Sequence, residues 1–319
     1  MKLIEALEKY SEPLLSLEII PPRKGSKIES IFQSIETLQP FNPKFISVTN
    51  HQTQFEYKEI NGEIIKFPKN KNAGLVGLAG AIKHRYNIET IPHLICGGIN
   101  RFQLEDMLID LQFLEIDNVF VIRGDANDGR KFAAEQDGFL YANEIIQQVA
   151  EMNTGKYTFP AENLEATDFC IGAAGYPEKH YEAVNLDTDI KYLKKKVDLG
   201  AEYIITQMFF DFDVYKRFVE KIRLAGIDIP IIPGIKPLIR NKYLKMIPRA
   251  FYVDIPSKLV KLFDEAKTRK DELQAGTFFM TQLVEKLIDF GVPAIHLFTM
   301  GNGKSAKALL SNFEGVFKK

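Results

Sequence analysis

The chain has 319 residues, of which 45% are hydrophobic and 26% are charged. These proportions are typical of a globular protein and exclude wholesale disorder, collagen and coiled coil. Lysine and arginine number 41 and aspartate and glutamate 42, so the net charge is −1, which argues against nucleic acid as the main partner.

The sequence predicts a soluble protein of the cytoplasm. Its two cysteines, Cys96 and Cys170, are too few for a disulfide framework, so a reducing compartment is expected. Residues 1–9 have the pattern of an amphipathic, charged helix and differ from a signal peptide. No apolar run approaches the roughly 18 residues of a membrane span, so no membrane partner is predicted.

Short apolar, β-branched runs bounded by turn residues recur along the whole chain and predict eight strands. They are Leu14 to Ile20, Lys44 to Thr49, Thr90 to Cys96, Asn118 to Arg123, Asp168 to Gly175, Tyr203 to Phe210, Ile229 to Ile235 and Pro293 to Met300. Helical periodicity fills the intervals, as in Asp189 to Leu199, where Ile190, Leu193 and Val197 form one stripe.

Alternation of strands and helices at this pitch predicts a parallel sheet, and eight units favour an α/β fold, a single (β/α)₈ TIM barrel spanning residues 1–319 as one domain. The rival is an open doubly wound sheet. That fold would require a glycine-rich dinucleotide turn after the first strand, where Pro21-Pro22-Arg23-Lys24-Gly25 stands instead.

Two long connections predict insertions, after strands two and four. In the first, Asn61-Gly62 separates two short runs and predicts a β-hairpin with a type I′ turn. The second, Asp125 to Thr167, contains one helix among polar loops. Because loops at the carboxyl ends of barrel strands carry the active site, both are interpreted as site walls or lids.

Polar residues within or just after the apolar strands are the candidate functional groups. Glu18 lies within Leu14 to Ile20, and burial among such neighbours should raise the pKa of its carboxyl and suit it to general acid catalysis. A structural ion pair is the alternative. His93, within strand three, is by itself more typical of a hydrogen-bonded core histidine than of a ligand.

No metal site is predicted, because the five histidines show no ligand spacing with carboxylates or cysteines. Gly301-Asn302-Gly303-Lys304-Ser305 resembles the end of a P-loop, but Phe298 occupies the position of that motif's first glycine. The segment is still expected to begin the last helix and to bind an anion weakly.

Read in chain order, the strand-end motifs resemble those of the methylenetetrahydrofolate reductase family of FAD-dependent barrel enzymes. The motifs that carry the resemblance are Leu17 to Arg23, Phe45 to Thr49, Ile91 to Leu94, Val121 to Asp125, Ala174 to His180, Ile205 to Asp211 and Ile231 to Ile235. Seven motifs in register are specific, and the length is similar to that of the family's catalytic barrel without the eukaryotic regulatory extension.

The resemblance implies a role for each matching residue. Glu18 matches the general acid that protonates the folate ring nitrogen, and Asp125 matches an aspartate beside the flavin that also contacts the pterin. The other implied flavin positions are Thr49, His93, Arg123, Gly124, Tyr141, Ala142, Tyr176, His180, Ala183, Asp189, Lys195 and Lys196. Gln207 matches a glutamine that contacts folate.

Simpler interpretations of several of these residues stay open. Lys195 and Lys196 could form a solvated face, Asp189 could be an ordinary first-turn residue, and Tyr141 could be a surface aromatic. The chain also departs from the family, since the arginine expected after strand eight is missing and Tyr243 replaces a glutamine after strand seven. Lys304 is the proposed substitute anion partner for the folate's glutamate tail.

The resemblance implies ping-pong reduction of 5,10-methylenetetrahydrofolate to 5-methyltetrahydrofolate by NADH or NADPH through FAD, serving methionine synthesis. It also implies a homo-oligomer. Two alternatives remain: another flavin-dependent barrel oxidoreductase of the proline-dehydrogenase kind, and a non-catalytic flavin- or folate-binding relative.

Overall fold

The computed structural model describes residues 1–22, 25, 27, 29–70, 73–124, 132–159, 162–299 and 303–317, without the side chains of residues 54, 69 and 70. Its strands are β1 (Leu14–Ile19), β2 (Phe45–Val48), β3 (Gln54–Ile60), β4 (Glu63–Asn70), β5 (Glu89–Ile95), β6 (Asn118–Ile122), β7 (Cys170–Gly175), β8 (Tyr203–Thr206), β9 (Ile231–Ile232), β10 (Gly234–Ile235) and β11 (Ala294–Phe298).

Helices connect most of the parallel strands, as the sequence predicts. They are α1 (Leu3–Lys9), α2 (Glu29–Leu38), α3 (Leu75–Tyr86), α4 (Arg101–Phe113), α5 (Ala142–Met152), α6 (Leu186–Asp198), α7 (Phe212–Leu224), α8 (Lys242–Phe251), α9 (Ser257–Glu265), α10 (Arg269–Asp289), α11 (Gly303–Leu310) and α12 (Glu314–Phe317).

The parallel strands form a barrel, which confirms the predicted fold class. Around the sheet the order is β1-β2-β5-β6-β7-β8-β9, and on the other side of β1 it is β11-β10. Strands β9 and β10 are the two halves of the predicted seventh strand, separated by Pro233, so the eight strands surround one interior. Each half pairs with a different neighbour, β9 with β8 and β10 with β11.

The interior of the barrel, here called the lumen, is lined by alternate residues of the strands. One core cluster contains at least one residue from each of the eight barrel strands and from α1. Residues from all of these elements can meet only in the interior of the barrel. Its buried members are Leu3, Ala6, Leu14, Phe45, Ile91, Phe120, Cys170, Tyr203, Ile205, Ile232 and Ala294. The larger cluster packs the helices against the outside of the sheet.

Helix α1 lies at the amino-terminal end of the strands. Leu3 is 1% exposed, and its backbone N–H donates to Asn118 Oδ1 at the start of β6, 2.7 Å away. The amino group of Met1 makes an ion pair with Glu89 at 3.0 Å. These contacts hold the helix against the lumen cluster.

The excursion after β2 is an antiparallel hairpin of β3 and β4. Asn61 and Gly62 have φ values of 53° and 83°, as a type I′ turn requires. The connection after β6 begins in residues outside the described part and leads to α5. The sixth strand was predicted to reach Phe210 but ends at Thr206, and beyond it Phe209 stacks on Tyr215 of α7, with the ring centres 5.0 Å apart.

Candidate active site

The carboxyl ends of the strands bring several predicted residues to one end of the lumen, here called the mouth. Strand residues two apart lie on the same face of the sheet, so inward-facing residues can be counted in steps of two from the members of the lumen cluster. Four predicted residues face inward by this count: Glu18, Thr49, His93 and Gln207. All four lie at or after the carboxyl halves of their strands. The barrel therefore gathers at its mouth four side chains that are separated by up to 189 residues in sequence.

Glu18 is the buried carboxylic acid of this mouth. It is 8% exposed and pairs in register with Phe298 on β11 and Ser47 on β2. Within the part of the chain that the structure describes, its carboxylate makes no ion pair within 4.0 Å. Burial raises the pKa of Glu18 to about 8, against a smaller opposing effect of Lys236.

Lys236 is a member of the site that the sequence reasoning missed. It directly follows β10, is 3% exposed, and lies with its Nζ 5.5 Å from the centre of the Tyr243 ring. Burial lowers the pKa of Lys236 to about 8, and the Glu18 carboxylate opposes that change. The available signal was a charged residue directly after an apolar strand, in Ile231 to Pro237.

Below Glu18, the lumen contains a neutral histidine pair. Ser16 Oγ and His296 Nδ1 are 2.9 Å apart, whereas the buried Nε2 of His93 has no hydrogen-bond partner in the described structure. Burial lowers the pKa of each imidazole to about 3. Both rings are therefore uncharged near neutrality and available as neutral donors or acceptors.

Unpartnered polar atoms indicate that the mouth fits a polar cofactor. Ser47 Oγ, Thr49 Oγ1, His93 Nε2 and Arg123 Nε are buried without a hydrogen-bond partner among the described residues. Two further unpartnered atoms among the described residues lie elsewhere, at the start of β5 and on α5. Buried polar groups are normally paired, so the four at the mouth point to a ligand that completes them. Three of the four belong to residues that the resemblance assigns to the flavin.

The rim beside β6 and β7 is a network of aromatic and charged side chains. Arg123 contacts Glu182 and donates to Tyr181 Oη at 3.0 Å. The His180 ring lies 4.8 Å from the Tyr176 ring, and burial, followed by the Arg123 charge, lowers the pKa of His180 to about 4. Tyr176, His180 and Arg123 are thus brought together, as the resemblance implies.

Helix α6 carries the next group of predicted residues. Asp189 Oδ2 accepts the backbone N–H of His180 at 2.7 Å, and Ala183 N donates to the His180 carbonyl at 3.0 Å. Lys196 Nζ donates to the Ala174 carbonyl at the end of β7, 3.2 Å away. Burial lowers the pKa of Lys196, while Asp189 opposes that change. Asp189 and Lys196 are therefore fixed against the strand end.

Other predicted residues are not drawn into this mouth. Lys195 is exposed on α6, and Tyr141, just before α5, is 58% exposed, although Ala142 is buried. Lys304 is exposed in the first turn of α11. Gly124 is the last described residue after β6, and Asp125 lies outside the described residues.

Among the residues that the structure describes, no group of three or more histidine, cysteine or carboxylate side chains could hold a metal ion. In the same residues, no helix is both long enough and apolar enough to cross a membrane.

Comparison with known proteins gives one family. The family model described as methylenetetrahydrofolate reductase matches residues 2–314. The 5,10-methylenetetrahydrofolate reductase of Escherichia coli is 31% identical over 299 residues, which cover 92% of this chain and 88% of that protein. Methylenetetrahydrofolate reductase 2 of Saccharomyces cerevisiae is 30% identical, over 97% of this chain and 49% of that protein.

The chain spans about half the length of its plant relatives, such as methylenetetrahydrofolate reductase (NADH) 1 of Arabidopsis thaliana, at 28% identity and 50% coverage of that protein. Among solved structures, an uncharacterized protein from Clostridium thermocellum, described as binding two copies of 5-methyl-5,6,7,8-tetrahydrofolic acid, aligns with a TM-score of 0.59. It is 14% identical and covers 98% of this chain and 99% of that one, a likeness of fold alone.

Proposed function

Because the chain belongs to the methylenetetrahydrofolate reductase family, we propose that it reduces 5,10-methylenetetrahydrofolate to 5-methyltetrahydrofolate, with NADH or NADPH as the hydride source. The observation that carries the proposal is the Glu18 carboxyl, buried at the mouth without a close ion pair among the described residues and with a pKa raised to about 8. Such a group retains its proton at neutral pH and can give it to a substrate.

FAD fits the unpartnered atoms of the mouth. Thr49 Oγ1, His93 Nε2 and Arg123 Nε would supply hydrogen bonds to it, and Lys196 a positive charge. The remaining residues proposed to hold it are Gly124, Asp125, Tyr141, Ala142, Tyr176, His180, Ala183, Asp189 and Lys195. When bound, FAD would supply a two-electron carrier between the nicotinamide and the folate.

The protein's own contribution to the folate half of the reaction is a proton. Glu18 would donate it to the ring nitrogen of the five-membered ring, whose carbon–nitrogen bond then opens to an iminium. Gln207, half-buried at the end of β8, would hold the pterin, while Tyr243 and Lys304 would contact the rest of the folate. The nicotinamide half requires no proton from Glu18, so the two halves are separable by mutation.

We further propose that residues 1–319 act as a single catalytic domain in the cytoplasm, as a homo-oligomer, in a ping-pong sequence that serves methionine synthesis. The test is anaerobic. The purified protein is loaded with FAD, reduced with NADH or NADPH in separate experiments, and mixed with methylenetetrahydrofolate or with a quinone. Bleaching by a nicotinamide and recovery of the flavin absorbance with formation of methyltetrahydrofolate are expected.

Two other results would identify the alternatives. Recovery with the quinone alone would indicate a different flavin-dependent oxidoreductase. Binding of FAD or folate without any bleaching would indicate a non-catalytic relative.

A further inference from the structure

We propose that Lys236 is a positioning residue for Glu18: its buried ammonium stabilises the carboxylate that remains on Glu18 after the proton has passed to the folate. This inference rests on the proposed function. It concerns a residue that none of the strand-end motifs contains, and its support is the arrangement of β1, β11 and β10.

The strand register brings the two residues to the same level of the barrel. Gly234, His296 and Ser16 are register partners across β10, β11 and β1, and Ile235, Leu297 and Leu17 form the next level. One residue further, Glu18 pairs with Phe298, and Lys236 follows Ile235 on the same side of the sheet. Only the Phe298 strand separates the acid from the lysine.

The alternation of side chains along the strands directs Glu18 and Lys236 toward the lumen. Ser16 and His296, two residues before Glu18 and Phe298, meet inside the barrel in a hydrogen bond of 2.9 Å. Ile232, two residues before Gly234 and four before Lys236, belongs to the lumen cluster. Strand residues two apart share a face, so Glu18 and Lys236 face the same interior.

Lys236 has no closer anion to account for its burial. Across the described residues, no ion pair within 4.0 Å and no hydrogen bond is found for its Nζ, which lies 5.5 Å from the centre of the Tyr243 ring. A buried ammonium without compensation is expensive, and one at a site usually serves the chemistry there. Among the described residues, the Glu18 carboxylate is the charged group that acts on the pKa of Lys236, and Lys236 is the one that acts on the pKa of Glu18.

Among the described residues facing this level, the two histidines contribute no charge. His296 on β11 and His93 on β5 have pKa values lowered to about 3 by burial, so both rings are neutral near pH 7. Tyr243 on α8 presents its ring to the ammonium. Among the described groups at this level, the charge that acts on the Glu18 carboxyl is therefore the Lys236 ammonium.

The proton balance shows what the lysine contributes. Before transfer, the pair is a protonated carboxyl beside an ammonium, with one positive charge. The proton then moves from the Glu18 oxygen to the folate ring nitrogen, the positive charge passes to the substrate, and the carboxylate is left beside the ammonium. Without Lys236, that carboxylate would face Phe298 and the neutral histidines, and Glu18 would be a weaker acid.

The test uses Lys236→Met, which replaces the lysine by an apolar chain of similar length. Lys245→Met, at an exposed position of α8, is the matched control, and Lys236→Arg retains the charge. Infrared titration of the full chain measures the midpoint of the Glu18 carboxyl band, identified by its loss in Glu18→Gln. We expect Lys236→Met to raise that midpoint by about one pH unit and Lys245→Met to leave it unchanged. Lys236→Arg should keep the midpoint close to its wild-type value.

The same variants are then followed in the folate half-reaction of the FAD-loaded protein. In Lys236→Met, the high-pH limb of the pH profile of folate reduction should move to higher pH together with the infrared midpoint. The rate of folate reduction near neutrality should fall about tenfold, while the rate of flavin reduction by the nicotinamide stays as in the wild type. An unchanged midpoint, or equal loss in both half-reactions, would overturn the role of Lys236. A shifted midpoint in a wild-type protein that does not reduce the folate would instead refute the proposed function and the role built on it.

Discussion

Ser16 Oγ lies 2.9 Å from His296 Nδ1, joining neighbouring strands β1 and β11 directly below Glu18. The hydrogen bond ties together the two strands whose next inward residues are Glu18 and Phe298. Above it, Thr299 Oγ1 donates to the Glu18 carbonyl at 2.5 Å. These two hydrogen bonds therefore fix the backbone at Glu18, and neither of them uses its carboxyl group.

Replacing Glu18 by glutamine should separate the two half-reactions. The amide has nearly the same shape but cannot donate a carboxylic proton, so folate reduction should fall by about a hundredfold or more. Reduction of the flavin by the nicotinamide should change by less than about twofold. Anaerobic stopped-flow absorbance measures both rates. An equal loss in the two rates would mean that Glu18 supports the structure of the site rather than its acid chemistry.

Glu18 should also make stability depend on pH. Its folded pKa of about 8 is raised above the ordinary value of 4.5, so the folded state binds the proton more tightly than the unfolded state. This contribution is complete below about pH 4.5 and is lost as pH rises through about 8. The free energy of unfolding of the wild type, relative to Glu18→Gln, should therefore decrease by about 4–5 kcal/mol as the pH rises between these limits.

Urea unfolding of both proteins across that pH range checks the prediction. Parallel pH profiles for the two proteins would show that Glu18 titrates alike in the folded and unfolded chains, contrary to its burial.

Thr49→Val should weaken FAD binding without destabilising the protein itself. Thr49 Oγ1 is buried and has no hydrogen-bond partner in the described structure, so removing it costs the ligand-free fold little. A hydrogen bond to the cofactor would be lost, which corresponds to about a tenfold rise in Kd. Fluorescence titration with FAD and thermal unfolding measure the two effects.

Thr167→Val is the matched control for that change. Thr167 is also buried, but its Oγ1 donates to Asn153 Oδ1 at 2.7 Å, far from the mouth. Its loss should cost about 1 kcal/mol of stability and leave the Kd for FAD unchanged. The opposite pattern in the two threonine variants would contradict the placement of the cofactor.

Gly234→Ala should destabilise the barrel at its seventh strand. A Cβ at Gly234 would lie 2.1 Å from the Thr206 carbonyl oxygen and 2.6 Å from the Phe298 ring, and the backbone at Thr206 cannot yield easily. We expect a loss of at least about 2 kcal/mol. At Gly77 on α3, an added Cβ would meet no atom of the described structure within 4 Å outside its own helix, so Gly77→Ala should instead gain about 0.5–1 kcal/mol. Chemical denaturation of both variants measures the difference.

The sequence was sufficient for the strand order because every barrel strand is an apolar run covered on both faces. It was insufficient for the later helices, where α8 contains Pro248 and α9 follows Pro256, so propensity gave no clear signal. The Asn61-Gly62 turn was predictable because few other residue pairs tolerate two positive φ values.

For the site, the strand-end motifs located Glu18, Thr49 and His93, and the raised pKa of Glu18 follows from its apolar neighbours alone. Lys236 was missed because Pro233 and Pro237 suggest that the strand has already ended. Its burial depends on how β10 approaches β11 and β1, a tertiary contact. The pairing of Arg123 with Glu182 likewise joins residues 59 apart in sequence.

The position of α1 determines how the lumen can be reached. Its residues Leu3 and Ala6 are at most 1% exposed and belong to the cluster that fills the amino-terminal end of the cylinder. Under the proposed function, a nicotinamide dinucleotide and a folate would both have to arrive and depart by the opposite opening. A shared entrance would favour their binding in turn, so the architecture of the cylinder would support the proposed alternation.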